Sequence, residues 1–268
     1  MRVRTPLILL LVPVTACSRQ DRAAAELFTD AARWVDLTYP FNAATIYWPT
    51  AQGFELEKVA DGETEAGYYS AANNFRAAEH GGTHVDAPVH FARGKHAADQ
   101  IPLAQLIGPA VVVDVSAQAA QSPDYQVTVA DLETFEAAHG QIAPGTLVLF
   151  RTGWGSRWPD RERYLGTSAT GPDAVALLHF PGIDAEAARW LVQNRSVDAV
   201  GIDTPSIDYG QSKTFETHQL LYGADIPGFE NVANLDRLPE VGAYVIALPM
   251  KIEGGSGGPL RIVALLPM

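Results

Sequence analysis

Three of the seven histidines in the chain fall within eleven residues, in the run AEHGGTHVDAPVHF at positions 78–91. His80, His84, Asp86 and His90 occupy even positions there, and Thr83, Val85, Ala87, Val89 and Phe91 the odd ones. In an extended chain alternate side chains share a face, so the run reads as a polar face backed by an apolar one. Gly81, Gly82, Thr83 and Pro88 argue against a helix, because glycine and β-branched residues weaken one and proline breaks it. A straight strand would hold His80 and His84 roughly 13 Å apart, too far to share an ion at bond lengths near about 2.1 Å. The chain must therefore bend. Gly81-Gly82 supplies the freedom for one bend, and Pro88 can turn the chain again so that His90 faces back.

Imidazoles and a carboxylate so placed suit Zn²⁺, Mn²⁺ or Fe²⁺. Spacing alone also allows a second reading, in which the four groups are hydrogen-bonding side chains on a polar strand face. Cys17 is the single cysteine, so no internal disulfide can form and any metal site must use nitrogen and oxygen ligands. A site without thiolate points to a catalytic or exchangeable ion more than to a closed structural one.

Elements able to position this run are legible around it. Short β-branched stretches at 54–60, 110–115, 146–151, 197–202, 241–248 and 260–266 predict strands. One helix is predicted over 129–139, with Thr128 as N-cap, Asp131 three residues on, Val129, Leu132 and Phe135 on the inner face, and Gly140 as the stop. A second is predicted over 185–194 behind Asp184, with Ala188, Leu191 and Val192 facing inward. Strands outnumber helices without strict alternation, which predicts a mixed α/β (α+β) fold in a single domain over 32–268. The stretch 152–182, rich in Gly, Pro, Trp and Arg, reads as a long surface excursion.

The first seventeen residues, MRVRTPLILLLVPVTAC, carry two arginines, a short apolar run and then small residues, the layout of a secretory signal. The apolar run is too short to span a bilayer. Its end, Val14-Thr15-Ala16-Cys17, resembles the lipobox of bacterial lipoproteins, which implies acylation of Cys17; cleavage after Ala16 with a free thiol is the alternative. Residues 18–31 are small and polar and read as a tether. The expected location is the bacterial cell envelope, facing the periplasm, with membrane attachment only through the anchor. The net charge of −12, without a basic stripe past the start of the chain, argues against a nucleic-acid partner.

Residues 254–258, GGSGG, match the G-x-S-x-G pattern of serine hydrolases. In that fold the histidine follows the serine and a helix follows the turn. Here no histidine follows His218, and Pro259 and a strand-like run come next. Ser256 is therefore read as part of a glycine-rich connection and not as a nucleophile.

The defined positions His80, Gly82, Thr83, His84, Asp86, Pro88 and His90 resemble the H-x-G-T-H-x-D-x-P-x-H motif of the bacterial kynurenine formamidase and cyclase family of metal hydrolases, which also includes isatin hydrolases. Similarity extends to DLTYPF near the start, Trp48-Pro49, VGIDTPSID at 200–208, FETHQLLYGADIPGFENV at 215–232 and ALPMKIEGGSGGPLRIVA near the end. The chain departs from many relatives at Thr50-Ala51, where they continue Gly-Asp.

The resemblance implies a swivelling β/β/α domain, commonly dimeric, with one or two divalent ions, Zn or Mn, per subunit. By it His80, His84 and Asp86 bind one ion, Asp86 bridges to a second completed by His218 and Glu230, and His90 is the acid/base. ETHQLLYG is helical in pattern, and the chain after it leaves through Gly223 and Pro227, so His218 and Glu230 could converge; a surface histidine and a solvated glutamate are the other reading. Asp203 and Asp208 could orient ligand histidines or serve a tight loop. Tyr47, Trp48 and Phe75, with Trp154 and Trp158 further on, offer apolar surface for an aromatic or cyclic substrate. The expected reaction is hydrolysis of an amide, formamide or cyclic imide or lactam C–N bond by water activated at the ion. A non-catalytic metal-containing envelope binding lipoprotein is the alternative of a different class.

Overall fold

Leu147, Val148, Leu149 and Phe150 are all fully buried, because their strand is covered on both faces. Leu147 and Leu149 point into one core cluster and Val148 and Phe150 into another. A strand buried on both sides reads as a continuous apolar run, without polar alternation. The computed structural model describes residues 33–267. Cys17 and the 18–31 tether lie outside the described residues. Among those described, no helix is long and apolar enough to cross a membrane.

In chain order the strands are β1 (Trp34–Asp36), β2 (Glu55–Glu63), β3 (Tyr69–Arg76), β4 (His84–Asp86), β5 (Ile107–Asp114), β6 (Gln126–Val127), β7 (Leu147–Arg151), β8 (Gly182–Ile183), β9 (Ala199–Ile202), β10 (Gly228–Glu230), β11 (Ala243–Pro249) and β12 (Gly257–Leu265). Three longer helices are α1 (Val129–His139), α2 (Ala185–Asn194) and α3 (Glu216–Gly223). The main sheet has eight strands in the order β1-β12-β11-β5-β7-β9-β10-β4, and β4 pairs again with β12. The sheet thus closes into a barrel, with β1 attached along the far end of β12.

β5, β7, β9 and β10 are neighbouring parallel strands, and α1, α2 and α3 are the crossovers between them. Parallel neighbours need such long connections, whereas the antiparallel strands β11 and β12 follow each other directly. Side chains from all around the barrel fill its interior, among them Val85, Val112, Leu149, Phe229, Val245 and Ile262. The helices cover the outer face of the parallel strands through Leu132, Phe135, Ala188, Leu191 and Leu221. The fold is mixed α/β in a single domain, as expected.

The helix boundaries follow from capping. Thr128 accepts from the Asp131 backbone N–H, Asp131 accepts in return from the Thr128 backbone N–H, and Gly140 ends α1 at φ +89°. Asp184 caps α2 by accepting from the Glu186 N–H. Two expectations need correction. β12 begins at Gly257, three residues before the predicted run, because Gly257, Gly258 and Pro259 pair with β4 despite poor intrinsic strand preference. The 152–182 stretch is no mere surface excursion: Trp154, Tyr164, Leu165, Leu178 and Phe180 are buried in a cluster of their own with Ile46.

Candidate functional site

β4 is only three residues long, but it is paired on both edges, and the two registers decide what surrounds its side chains. On one edge His84 faces Glu230 and Asp86 faces Gly228. On the other, His84 faces Pro259 and Asp86 faces Gly257. Directly opposed residues of an antiparallel pair are near neighbours on the same face, so barrel closure sets Glu230 beside His84.

The chain does bend before β4. Gly82 sits at φ +57°, where a Cβ would come within 2.8 Å of Phe41 and 2.9 Å of Thr45, so only glycine takes this conformation without strain. Asn231 Nδ2 donates to the Gly82 carbonyl at 2.7 Å and fixes the bend from the opposite strand. The His80 and His84 rings consequently lie 5.4 Å apart, centroid to centroid. Pro88 opens a short turn, Pro88–His90, which swings His90 back until its ring stacks on His80 at 3.9 Å.

Two donor groups result: His80 with His84 and Asp86, and Asp86 with His218 and Glu230, the donor atoms of each lying within 4.8 Å of one another. Asp86 belongs to both because its oxygens face different ways. Oδ1 lies 2.6 Å from His80 Nδ1 and 3.1 Å from His84 Nε2. Oδ2 lies 3.5 Å from His218 Nε2 and accepts from the Tyr222 hydroxyl at 3.0 Å. Glu230 closes the set, with Oε2 3.4 Å from His84 Nε2 and Oε1 3.3 Å from His218 Nε2. His90 stands outside both groups, its Nε2 4.0 Å from Asp86 Oδ2.

Two buried carboxylates, Asp86 and Glu230, stand at the centre of the site, with ring nitrogens of His80, His84 and His218 within 3.5 Å of their oxygens. Burial first, then the charge of Asp86, pushes the Glu230 carboxyl above its ordinary range. Burial pushes Asp86 the same way, but the surrounding His80, His218 and His84 outweigh it and hold the carboxyl well below the usual range. Burial lowers His84 and His218, yet the carboxylates around them raise both on balance. Burial also lowers His90, and the neighbouring imidazoles keep it down, at about 4, against the pull of Asp86. His84 supplies the sharpest test of fit: its Nδ1 is engaged by the Gly82 carbonyl at 3.0 Å, while its buried Nε2 has no hydrogen-bond partner and faces two carboxylates. A lone pair so placed, among oxygen and nitrogen donors only, fits a divalent ion.

These donors line the floor of a cavity of about 290 Å³, whose walls are Ile46, Trp48, Ala78, Phe91 and Phe215. Tyr47 and Trp48 line it as expected, Trp48 packing against Phe180 and Phe215. Phe75 does not. It lies on β3, which pairs only with β2 in a hairpin outside the barrel, is 54% exposed, and stacks on Phe54. Trp154 is core, and Trp158 stacks on Tyr39 beside a different hollow.

Of the two aspartates considered as orienting groups, Asp208 lies 2.5 Å from His218 Nδ1, whereas Asp203 accepts from the Thr152 N–H and hydroxyl and serves the loop after β7. Sequence reasoning missed Tyr222, although its place four residues after His218 puts both on one helix face. It also missed Asn231, whose φ of +53° follows directly on Glu230. Ser256 proves to lie 2.8 Å from His80 Nε2.

A closed barrel carrying this donor set beside an apolar cavity has the parts of a metal centre, nitrogen and oxygen donors converging on one cavity floor. Residues 35–209 match the family model Cyclase, and the chain belongs to that family. It is 35% identical over 221 residues to the isatin hydrolase of Roseibium aggregatum, covering 80% of this chain and 81% of the relative. Identity to the kynurenine formamidase of Salinibacter ruber is 32% over 231 residues, 85% of this chain and 95% of that one. Among solved structures, isatin hydrolase A from Ralstonia solanacearum superposes with a TM-score of 0.81 at 36% identity, covering 95% of this chain and all of the other. An isatin hydrolase bound to the product analogue thioisatinate gives 0.80 at 32% identity, over 94% and 100% of the two chains. The relatives are named hydrolases, which favours the catalytic over the purely binding reading.

Proposed function

We propose that the protein hydrolyses the amide C–N bond of a small aromatic lactam or cyclic imide, with aryl formamides as the neighbouring class. One observation carries the reading: Asp86 directs one oxygen into each of two donor groups on the floor of a cavity with aromatic walls. His80, His84, Asp86, His218 and Glu230 would hold one or two divalent ions, Zn or Mn. A bound ion supplies Lewis acidity toward the carbonyl and lowers the pKa of water.

The chain's own residues do the rest. Trp48, Phe91 and Phe215 enclose the ring of the substrate and limit its size, since about 290 Å³ is at the small end of ligand pockets. His90 Nε2 takes the proton from the attacking water and returns it to the departing nitrogen, the part suited to an imidazole beside the reacting atoms and outside the ligand sets. Asp208 and the Gly82 carbonyl keep His218 and His84 in the tautomer that presents Nε2 inward.

The lactam class is put first because isatin hydrolases are among the relatives with the higher identity and structural agreement. Attachment through an acylated Cys17 in the bacterial envelope belongs to the same proposal, supported by the signal-like layout of residues 1–17. So does a homodimer, supported by the hairpin β2–β3, which leaves Leu56, Val59, Tyr68, Tyr69 and Phe75 exposed.

The test is metal analysis of the purified protein followed by a pH-indicator screen over aromatic lactams, cyclic imides, formyl anilides and lactones. Metal content with turnover of a lactam or imide is the expected result. Bound metal with no turnover in any class would overturn the catalytic assignment, and turnover of lactones alone would overturn the C–N assignment.

A further inference from the structure

His80 is the most open of the ligand imidazoles, its side chain 25% exposed against 3% for His84. Something other than burial must hold it. Gly257 packs so close that a Cβ there would come within 2.6 Å of His80 Cε1, and the His90 ring stacks on His80 at 3.9 Å. This packing confines the ring. It does not decide which nitrogen faces the ion, because an imidazole turned half a revolution about its Cβ–Cγ bond has nearly the same shape.

The hydrogen bonds make that choice. Ser256 Oγ lies 2.8 Å from His80 Nε2 and 2.6 Å from Glu79 Oε2, and the Ser256 backbone N–H donates to the same carboxylate oxygen at 3.0 Å. A serine hydroxyl has one hydrogen and a carboxylate has none to give. The hydroxyl therefore donates to Glu79 and accepts from His80 Nε2–H, which leaves Nδ1, 2.6 Å from Asp86 Oδ1, as the nitrogen facing the donor group.

The same accounting explains why Ser256 is no nucleophile, although Ser256, His80 and Asp86 stand in line like a catalytic triad. The serine proton is committed to Glu79, and the imidazole beside it is itself a donor. Strand β12 also begins directly after the serine, where a nucleophile elbow requires a helix.

We infer that Ser256 and Glu79 are positioning residues for the ion, a carboxylate relayed through a hydroxyl that selects the His80 tautomer and presents Nδ1 to the first donor group. The inference rests on the metal-dependent reading above. It makes the GGSGG connection part of the site: Gly257 leaves room for the ring and Ser256 orients it. It also completes a pattern, since His84 and His218 have their second nitrogens engaged by the Gly82 carbonyl and Asp208. Partners of this kind are worth 10–100-fold, in order of magnitude about 10²-fold at most, in metal affinity.

The experiment is a Mn²⁺ titration of the metal-stripped protein, read by loss of the free-ion electron paramagnetic resonance signal, for wild type, Ser256→Ala and Glu79→Gln. The visible spectrum of each protein loaded with Co²⁺ and its melting temperature without metal complete the set. Ser256→Ala is expected to weaken one class of Mn²⁺ site about 10–100-fold and to shift the Co²⁺ bands. Glu79→Gln, which keeps the hydroxyl and can still accept from it, is expected to do so by a smaller factor. A purely structural role would instead lower the melting temperature and leave affinity and spectrum unchanged, which overturns the inference. If Ser256→Ala does not fold, Glu79→Gln decides, and wild-type affinity in that variant overturns the inference. A wild-type protein that takes up none of Mn²⁺, Co²⁺ and Zn²⁺ overturns the metal-dependent reading and this one with it, whereas normal uptake in wild type and both variants overturns the relay alone.

Discussion

His80, His84 and Asp86 come from seven residues of continuous chain, whereas His218, Glu230 and Asp86 are brought together by a helix and two strands. The first group depends on a local bend at Gly82 and stays partly open at His80. The second depends on closure of the barrel and is buried throughout, with Asp208 directly against His218. The same carboxylate serves both, so a residue in a short, doubly paired strand joins a locally encoded group to a globally encoded one. Damage to the bend should then be felt by one group, damage to the helix by the other, and damage to Asp86 by both.

The largest effect is expected from Asp86→Asn, which removes the shared ligand. It should abolish measurable binding of Mn²⁺ at both groups and reduce turnover about 10³-fold or more, roughly 4 kcal/mol of transition-state stabilisation. Retention of one full equivalent of metal would show that the groups do not share it.

His90→Ala separates chemistry from binding. Turnover should fall about 10²–10⁴-fold, the range for a lost acid/base group, with metal content by mass spectrometry equal to wild type. Loss of metal in this variant would place His90 among the ligands.

Asp208→Asn should touch the second group alone. It changes the partner of His218 Nδ1 and should weaken one Mn²⁺ site about 10–100-fold while the site of His80 and His84 keeps its affinity. Equal weakening of both sites in a two-site titration would mean that the groups behave as one.

The smallest expected effect is that of Gly82→Ala. A side chain at φ +57° is strained, and its Cβ meets Phe41 and Thr45. A destabilisation of about 1–3 kcal/mol follows from the backbone conformation, seen as a melting temperature lower by about 2–12 °C for a domain of this size. The remaining affinity loss should fall on the first group. An unchanged melting temperature would show that the bend accepts a side chain.

Much of the local structure was legible because short-range rules decide it. Thr128, Asp131 and Gly140 mark both ends of α1, Asp184 marks the start of α2, and both helices lie where these residues place them. The alternation of His80, His84, Asp86 and His90, with glycines where a bend is needed, announced the first donor group. The strand pairing of Gly257-Gly258-Pro259 was not legible, because only pairing with the second edge of β4 makes a strand of such residues. Phe75 lies outside the cavity for a related reason: no predicted run covered residues 69–76, and nothing local says that β3 pairs with β2 alone and stands apart from the barrel.

The amino-acid sequence by itself determined the donor types, the bend that gathers the first of them and the helices that back the parallel strands. Steric limits on glycine and proline, capping and hydrophobic period all act within a few residues. Tertiary structure decided that Glu230 lies beside His84, that His218 and Tyr222 reach Asp86, and that Ser256 reaches the far nitrogen of His80. Those contacts join residues up to 176 positions apart, and only the register in which the barrel closes can bring them together.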